Sequence, residues 1–245
     1  MDDTYEIFYD HMGTLDSFLK VNGYINTNPD YTDLDPDDFF AAINSIYTSN
    51  KELSNVIGDT NEFRAMFSGI FEHKAIKNKR IFVYFCSAPL GDNMTGRVQH
   101  FLRILCQIKN CKNGVIIVDR EFSASAIKSL NSVKDLSTDS PDVYNIKMFT
   151  DKTFIDIVNN NFVPKVKQIM SIEEAKKFCK DNRVNSIKLP KMIVDEPLCS
   201  FYMANIGNIM VLERDTGISD NILSTQLVYK YVTTVPFKRK APARR

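Results

Sequence analysis

The stretch GVIIVDREFSASAIKSL, residues 114–130, decides the fold because it holds a strand and a helix separated by a short loop. The run VIIVD (115–119) is rich in β-branched residues and is typical of a buried strand. Ser123 then stands where a helix cap is expected, and residues 123–133 have the composition of a short helix. A strand followed at once by a helix is the repeating unit of α/β structure.

The same alternation extends on both sides of this stretch. IFVYFC (81–86) predicts an earlier buried strand, and VYNIKMF (143–149) predicts a later one. Before VIIVD lies a helical pattern whose apolar residues share one face, namely Val98, Phe101, Leu102, Leu105 and Ile108. The short connections between these elements predict a βαβ layer over a mostly parallel sheet.

Two helices are expected ahead of this layer. Apolar residues recur at helical spacing over 4–22, and Gly23 suits the C-terminal cap. Asp35-Pro36 is typical of an N-cap followed by proline in the first turn, and it predicts a second helix that ends near Ser49. The intervening NTNPDYTDLDPDD (26–38) is acidic and rich in turn residues.

The C-terminal part contains a contradiction, IKLPKMIVDEP (187–197), which is too apolar for a linker and too rich in proline for a helix or a central strand. Before it, SIEEAKKFCKD (171–181) has the spacing of a capping box at a helix start. After it no helix is expected, because IGNIMVLERD (206–215) and STQLVYKYV (224–232) predict two strands joined by the turn-rich TGISDN. The predicted class is therefore α+β, with an N-terminal α/β domain built on a βαβ-type sheet and a small β-rich C-terminal domain.

Charge divides the chain into two different parts. Of the 245 residues, 44% are hydrophobic and 25% are charged, as in globular proteins. Residues 1–72 carry 14 acidic and 3 basic side chains (net −11), and residues 73–245 carry 16 and 28 (net +12). The basic part suits an anionic partner such as nucleic acid, although solvated faces without that role have the same composition. The acidic start and the lack of a long apolar run predict a soluble, intracellular protein.

The cysteines and histidines suggest no cofactor site. The five cysteines lie at irregular spacing without a C-x-x-C pair, which predicts free and mostly buried thiols. The histidines are far apart and outside the spacing of zinc motifs. They are His11, His73 and His100.

The end of the strand VIIVD is the candidate position for a catalytic site. Asp119 and Glu121 lie where α/β proteins place ligands, beyond the carboxyl end of a parallel strand. A metal-dependent nuclease would also need a lysine near the scissile phosphate, but the nearest is Lys128, on the next helix. The compact spacing of such sites is missing, so the sequence favours a scaffold over an enzyme.

Four stretches in order carry a resemblance to a known family. They are IFVYFCSAP (81–89), GVIIVDREFSASAIKSL (114–130), FVPKVKQIMSIEEAKKF (162–178) and SIKLPKMIVDEPLCSFYMANIGNIMVLER (186–214). These stretches resemble the fifth subunit shared by the eukaryotic nuclear RNA polymerases, whose C-terminal domain alone makes up a small subunit of archaeal RNA polymerase. DSFLKVNGYI (16–25) fits the family's opening helix. The resemblance covers nearly the whole chain, except the loop around 50–75 and the tail after 236.

The chain departs from the family's pattern at several places. The arginine of the family's Ala-Arg-Tyr is missing from the stretch Cys199-Ser200-Phe201-Tyr202. The histidine after Val-Pro-Lys is Val166, and the Thr-Pro of the turn before the helix is Ser123-Ala124. The loop after Arg214 is longer and differently charged. This drift suggests a specialised form, such as a polymerase encoded by a large DNA virus.

The resemblance implies a non-catalytic subunit of a multisubunit DNA-directed RNA polymerase, without a cofactor. Residues 1–165 would be the jaw domain along downstream DNA, residues 166–236 the assembly domain that docks on the largest subunit, and residues 237–245 a disordered basic tail. Helix N-termini favour anions, so the candidates for DNA contact are Ser123, Ser125 and Lys128. The candidates for the assembly interface are Leu189, Pro190, Lys191, Pro197 and Arg214.

The expected partners follow from the same resemblance. They are the largest and other polymerase subunits, and downstream duplex DNA bound weakly and without sequence preference, with no membrane. The expected location is the virion and host cytoplasm for a viral enzyme, and the nucleus for a cellular one. Two alternatives stay open, a metal-dependent nuclease-like domain and an adaptor that binds another protein through the acidic N-terminal region.

Overall fold

A computed structural model describes residues 2–27, 34–57, 63–87, 93–136, 144–219 and 222–234. The chain divides into two compact units, Met1–Asn159 and Asn160–Arg245. Helices together with two mixed sheets confirm the predicted α+β class. The boundary between the units follows Asn159, somewhat before the domain boundary after residue 165 that was expected from the sequence. The roles of the two domains stay a prediction.

The N-terminal unit contains one sheet with helices before, between and after its strands. The order of elements is α1 (Asp2–Val21), α2 (Pro36–Ser49), α3 (Lys51–Ile57), the 3₁₀ helix Phe63–Phe67, β1 (Gly69–Glu72), β2 (Arg80–Cys86), α4 (Met94–Gln107), β3 (Cys111–Val118), α5 (Ala124–Leu136), β4 (Asn145–Thr150) and α6 (Asp151–Asn159). The sheet order is β1-β2-β3-β4, with β1 antiparallel to β2 and the other neighbours parallel. The predicted βαβ layer and its three strands are confirmed.

Strand β2 shows why this sheet is covered on both faces. Successive side chains of a strand point to opposite faces. Phe82 and Tyr84 pack on Phe101 of α4, with ring centroids 5.7 and 6.2 Å apart. Phe85 points the other way and contacts Phe154 of α6 at 6.4 Å. Burial on both faces accounts for the continuous apolar run that predicted this strand.

The helix boundaries follow the predicted capping chemistry. The side chain of Asp35 accepts the N–H of Asp38 at 2.9 Å, and Pro36 occupies the first turn of α2. Helix α1 ends at Val21, and Gly23 then adopts a φ of 75°. This left-handed conformation is easy for glycine, because it has no Cβ.

Strand β3 begins earlier than the sequence predicts. The expected strand was VIIVD (115–119), but the strand begins at Cys111 and includes Gly114. A Cβ on Gly114 would lie 2.8 Å from Cζ of Phe101 and 2.9 Å from Cδ2 of Leu105. Glycine is therefore needed at position 114 for the close approach of α4 to β3.

The C-terminal unit is a four-stranded sheet with short helices. Its elements are β5 (Lys165–Met170), α7 (Ile172–Asp181), the 3₁₀ helix Ser186–Lys188, β6 (Lys191–Ile193), α8 (Pro197–Phe201), β7 (Ile209–Ser219) and β8 (Ile222–Thr233). The sheet order is β5-β7-β8-β6, antiparallel except for the β8–β6 pair. The predicted capping box of α7 is confirmed, since Ser171 and Glu174 each accept the other's backbone N–H.

Two expectations about this unit are wrong. A helix does follow the proline segment, because Pro197 occupies the first turn of α8, where its missing N–H costs nothing. The stretch TGISDN was expected to be a turn, but its first four residues, 216–219, belong to β7. Ile218 and Ser219 pair with Leu223 and Ile222 of β8, across an irregularity in the register between Asp215 and Ile218. Residues 220–221 and the basic tail 237–245 lie outside the described residues.

The cysteines are free, as predicted. Cys86, Cys111 and Cys199 are buried, Cys179 is half-buried and Cys106 is exposed. Among the helices in the described part of the chain, none is both long enough and apolar enough to cross a membrane.

Candidate functional site

The N-termini of α4 and α5 lie side by side at the edge of the sheet where the parallel strands β2 and β3 end. Oγ of Ser125 lies 2.8 Å from Oγ1 of Thr95 and 3.1 Å from Oγ of Ser123. The hydroxyl of Ser123 also accepts the N–H of Ala126 at 3.3 Å, which confirms the predicted cap of α5. We call Thr95, Ser123 and Ser125 the hydroxyl cluster.

The structure thus brings two predicted DNA-contact residues together and adds Thr95, which sequence reasoning missed. Thr95 lies in the first turn of the helix that follows β2. That position was a usable signal, because the carboxyl ends of neighbouring parallel strands meet at one edge and the helices that follow begin there.

The third predicted residue, Lys128, lies one turn farther along α5 and is exposed. Hydroxyl and amino groups are donors that suit phosphate oxygens. Asp119 and Glu121 are also exposed, in the loop between β3 and α5, and their charge opposes an anion. Within the described residues, no three His, Cys, Asp or Glu side chains come together as a metal site requires.

The proline segment 187–197 is docked on its own sheet. Met192 of β6 is only 4% exposed and belongs to the core of the unit. The N–H of Tyr231 donates to the carbonyl of Pro190, and the N–H of Val194 to that of Thr233, both at 2.9 Å. The segment therefore forms a short edge strand, which accounts for apolar residues between two prolines.

The predicted interface residues of this segment differ in how much of each side chain is exposed and available to a partner. Lys191 donates a hydrogen bond to a carbonyl of the preceding 3₁₀ helix, and its Nζ lies 4.5 Å from the ring centroid of Tyr231. Burial lowers the pKa of Lys191 below its usual range. Its amino group is thus engaged within the unit. Leu189 is half-buried, whereas Pro190 and Pro197 are exposed.

Arg214, the last predicted interface residue, borders a pocket of about 600 Å³ within the C-terminal unit. Its lining consists of Asn161, Phe162, Val163, Pro164, Lys165, Glu213 and Arg214. Phe162 is 96% exposed, the most exposed large apolar side chain among the described residues. Sequence reasoning missed it, because no periodic pattern marks a lone aromatic residue in a turn. Glu213 pairs with Lys167 at 2.8 Å, while Arg214 forms no ion pair with any residue of the described part.

Residues 155–232 match the model of the family described as RNA polymerase Rpb5, C-terminal domain. The match begins within α6 and reaches into β8, so it contains the proline segment and the pocket beside Phe162. A comparison of the chain with curated proteins gave no match. Over residues 155–232 the family match confirms the resemblance drawn from the sequence.

Proposed function

Because the match over residues 155–232 indicates an RNA polymerase subunit, we propose that the chain is a non-catalytic subunit of a multisubunit DNA-directed RNA polymerase. The C-terminal unit docks on the largest subunit, and the N-terminal unit contacts downstream duplex DNA. The match carries this proposal. The subunit works in the nucleus if its polymerase is cellular, and in the virion and host cytoplasm if it is viral.

Rigid and exposed features of the C-terminal unit support docking. Pro190 and Pro197 are exposed and have a fixed φ, so little conformational entropy is lost when a partner covers them. An exposed aromatic ring is unfavourable in water but typical of the side chains that anchor protein interfaces. Phe162 has that character, and Arg214, beside it at the pocket, is of another residue type enriched at binding hot spots.

The hydroxyl cluster and Lys128 support contact with DNA. Such groups bind phosphate oxygens and do not report base sequence, as suits a path along which any DNA must move. The two carboxylates in the loop after β3 weaken the attraction. We therefore expect the isolated chain to bind duplex DNA weakly and to hydrolyse nothing.

Native purification from its source, followed by identification of the bound chains, tests the assignment. The expected result is stoichiometric co-purification with the two large polymerase subunits. A non-polymerase partner recovered without either large subunit would favour the adaptor alternative. Cleavage of DNA by the isolated chain with Mg²⁺, abolished by Asp119→Ala, would favour the nuclease alternative.

Phe162→Ala tests the docking surface separately from folding, because a side chain that is 96% exposed makes little contribution to the core. We expect the loss of a hot spot, about 2 kcal/mol or roughly 30-fold in affinity for the large subunits. Ile206→Ala, at a residue 50% exposed in the same unit, is the matched control. Leu189→Asp should also weaken incorporation of the chain into the polymerase. Because Leu189 is half-buried, circular dichroism will show whether this substitution unfolds the C-terminal unit. Normal assembly with both Phe162→Ala and Leu189→Asp would contradict the proposed surface.

A further inference from the structure

The loop that joins β1 to β2, residues 73–79 (HKAIKNK), presents three lysines at the edge of the N-terminal sheet opposite the hydroxyl cluster. β2 and β3 are parallel, so their first residues share one edge and their last residues the other. Lys74 and Lys77 are exposed, Lys79 is half-buried, and Ile76 between them is 49% exposed. We call residues 73–79 the basic loop.

The basic loop is held in one conformation by its own hydrogen bonds. Nδ1 of His73 accepts the N–H groups of Ala75 and Ile76, both at 3.1 Å. The backbone N–H of His73 donates to the carbonyl of Lys79 at 2.9 Å and closes the base of the loop. Asn78 adopts a φ of 63°, a conformation that asparagine tolerates better than most residues. The lysines are therefore displayed on a fixed backbone.

The basic loop is also fastened to the end of α1. The N–H of Lys74 donates to the carbonyl of Gly23 at 2.8 Å. The ring of Tyr24 meets that of His73 edge-on at 5.3 Å, and Nζ of Lys79 lies 5.8 Å from the centroid of Tyr24. A preformed site loses less conformational entropy on binding than a free loop does.

The local charge is mainly positive. The amino groups of Lys74, Lys77 and Lys79 form no ion pair with any residue that the structure describes. The carboxylate of Glu52 accepts two hydrogen bonds from the guanidinium of Arg80, at 2.6 and 2.9 Å, so its negative charge is paired. Further basic side chains follow on neighbouring segments of this edge, at Lys20, Lys109 and Lys112, and Glu72 is the exposed carboxylate that precedes the loop.

We propose that the basic loop is a second contact for the phosphate backbone of duplex DNA, separate from the hydroxyl cluster. Lysines on a rigid support bind phosphates as point charges, without reading sequence. Seven strand residues set the two edges about 23 Å apart, close to the rise of roughly seven base pairs of duplex DNA. The choice of DNA as the ligand rests on the proposed polymerase function.

The test measures binding of the full chain to a labelled duplex by fluorescence anisotropy at several salt concentrations. The variant is Lys74→Gln with Lys77→Gln, which spares the lysine that packs on Tyr24. Each lost phosphate contact lowers the slope of log affinity against log salt by about 0.9, so the pair should lower it by about 1.8. The change in affinity between about 50 and about 200 mM salt should then shrink roughly 12-fold.

The matched control is Lys176→Gln with Lys177→Gln, two exposed lysines of α7 in the other unit. It makes the same change in net charge and should leave the slope unchanged. Equal effects of the two pairs would mean a response to net charge alone and would overturn the proposal, as would no effect of either pair. It would also fail if the basic-loop pair kept its DNA affinity but no longer co-purified with the large subunits. If the wild-type chain did not co-purify with the large subunits, in contrast, that result would contradict the proposed function and would leave the DNA contact of the basic loop to the binding assay.

Discussion

Replacing Asp151 by asparagine should destabilise the N-terminal unit, because this carboxylate joins three of its elements. Asp151 begins α6 and accepts two hydrogen bonds from the guanidinium of Arg64, at 2.7 and 2.6 Å. Arg64 lies in the 3₁₀ helix 63–67, and His11 of α1 places its Nε2 3.0 Å from the same carboxylate. The side chain of His11 is fully buried, and those of Arg64 and Asp151 are 10% and 20% exposed.

The expected magnitude follows from burial and pairing. Burial alone would raise the pKa of Asp151, but the adjacent His11 and the hydrogen bonds from Arg64 outweigh it and hold the pKa below the usual value. Removing one partner of a buried ion pair costs about 3–5 kcal/mol, because the other charge stays buried without compensation. Asp151 is partly open to water, so we expect the lower end, about 3 kcal/mol. For a chain of this size that lowers the melting temperature by roughly 6–12 °C.

The loss should depend on pH in a definite direction. A carboxylate whose pKa is lower in the folded state contributes stability that is fully present above its unfolded pKa, here 3.8. That contribution disappears as the pH falls through the folded pKa. The difference between wild type and Asp151→Asn should therefore be full at neutral pH and shrink below about pH 4.

Thermal unfolding followed by circular dichroism is the assay, since the chain has no tryptophan for fluorescence. Asp156→Asn is the matched control, on the same helix and at a half-buried aspartate that forms no ion pair with a described residue. It should cost well under about 1 kcal/mol, as surface substitutions usually do. Equal losses at Asp151 and Asp156, or a deficit that persists undiminished at low pH, would refute the reasoning.

Three further outcomes are expected. Gly114→Ala should destabilise by about 1–3 kcal/mol in urea unfolding, because the new methyl group would overlap the ring of Phe101 in α4. Ser171→Ala should remove the cap of α7 and cost about 1 kcal/mol in the same assay, with no change in the sheet. Burial lowers the pKa of His73, so protonation of its accepting nitrogen should release the basic loop only as the pH falls below 6.5. The protection factor of the Ala75 amide against hydrogen exchange should then drop, and a constant value down to acid pH would contradict this mechanism.

The parts of the fold that sequence predicts are those whose burial or capping is local. After Arg80, strand β2 is hydrophobic because helices cover both faces. The caps at Asp35 and Ser171 use side chains within three residues of the groups they satisfy. Strand β5 escaped prediction because its residues are mostly half-buried or exposed, and only pairing with β7 makes them a strand. The start of β3 was predicted too late for a related reason. Gly114 lies within the strand because α4 packs closely against it, and this contact with residues earlier in the chain is not visible in the local sequence.

The candidate site was predictable only where its members are neighbours in sequence. Ser123 and Ser125 stand in one helix start, so the helix rule found both. Thr95 joins them across 30 residues, through the parallel arrangement of β2 and β3. The basic loop has three lysines in six residues, a pattern visible in the sequence, but the bond to Gly23 that fixes it is not. Contact with DNA by either group stays a prediction.

In the proline segment, packing within the C-terminal unit limits which side chains are exposed for a partner to bind. Each proline stands where its missing N–H costs little, since Pro190 precedes an edge strand and Pro197 starts α8. Between them, Glu196 accepts the N–H of Ile193 at 3.0 Å and fixes the turn into the helix. Met192 is buried in the core, so its apolar side chain gives no support for docking. What is left for a partner is the exposed outer surface of the segment, formed by Pro190 and Pro197 together with Ile187, Lys188 and Asp195. Substitutions on that surface, and not in the core beneath it, are therefore the ones that can separate assembly from folding.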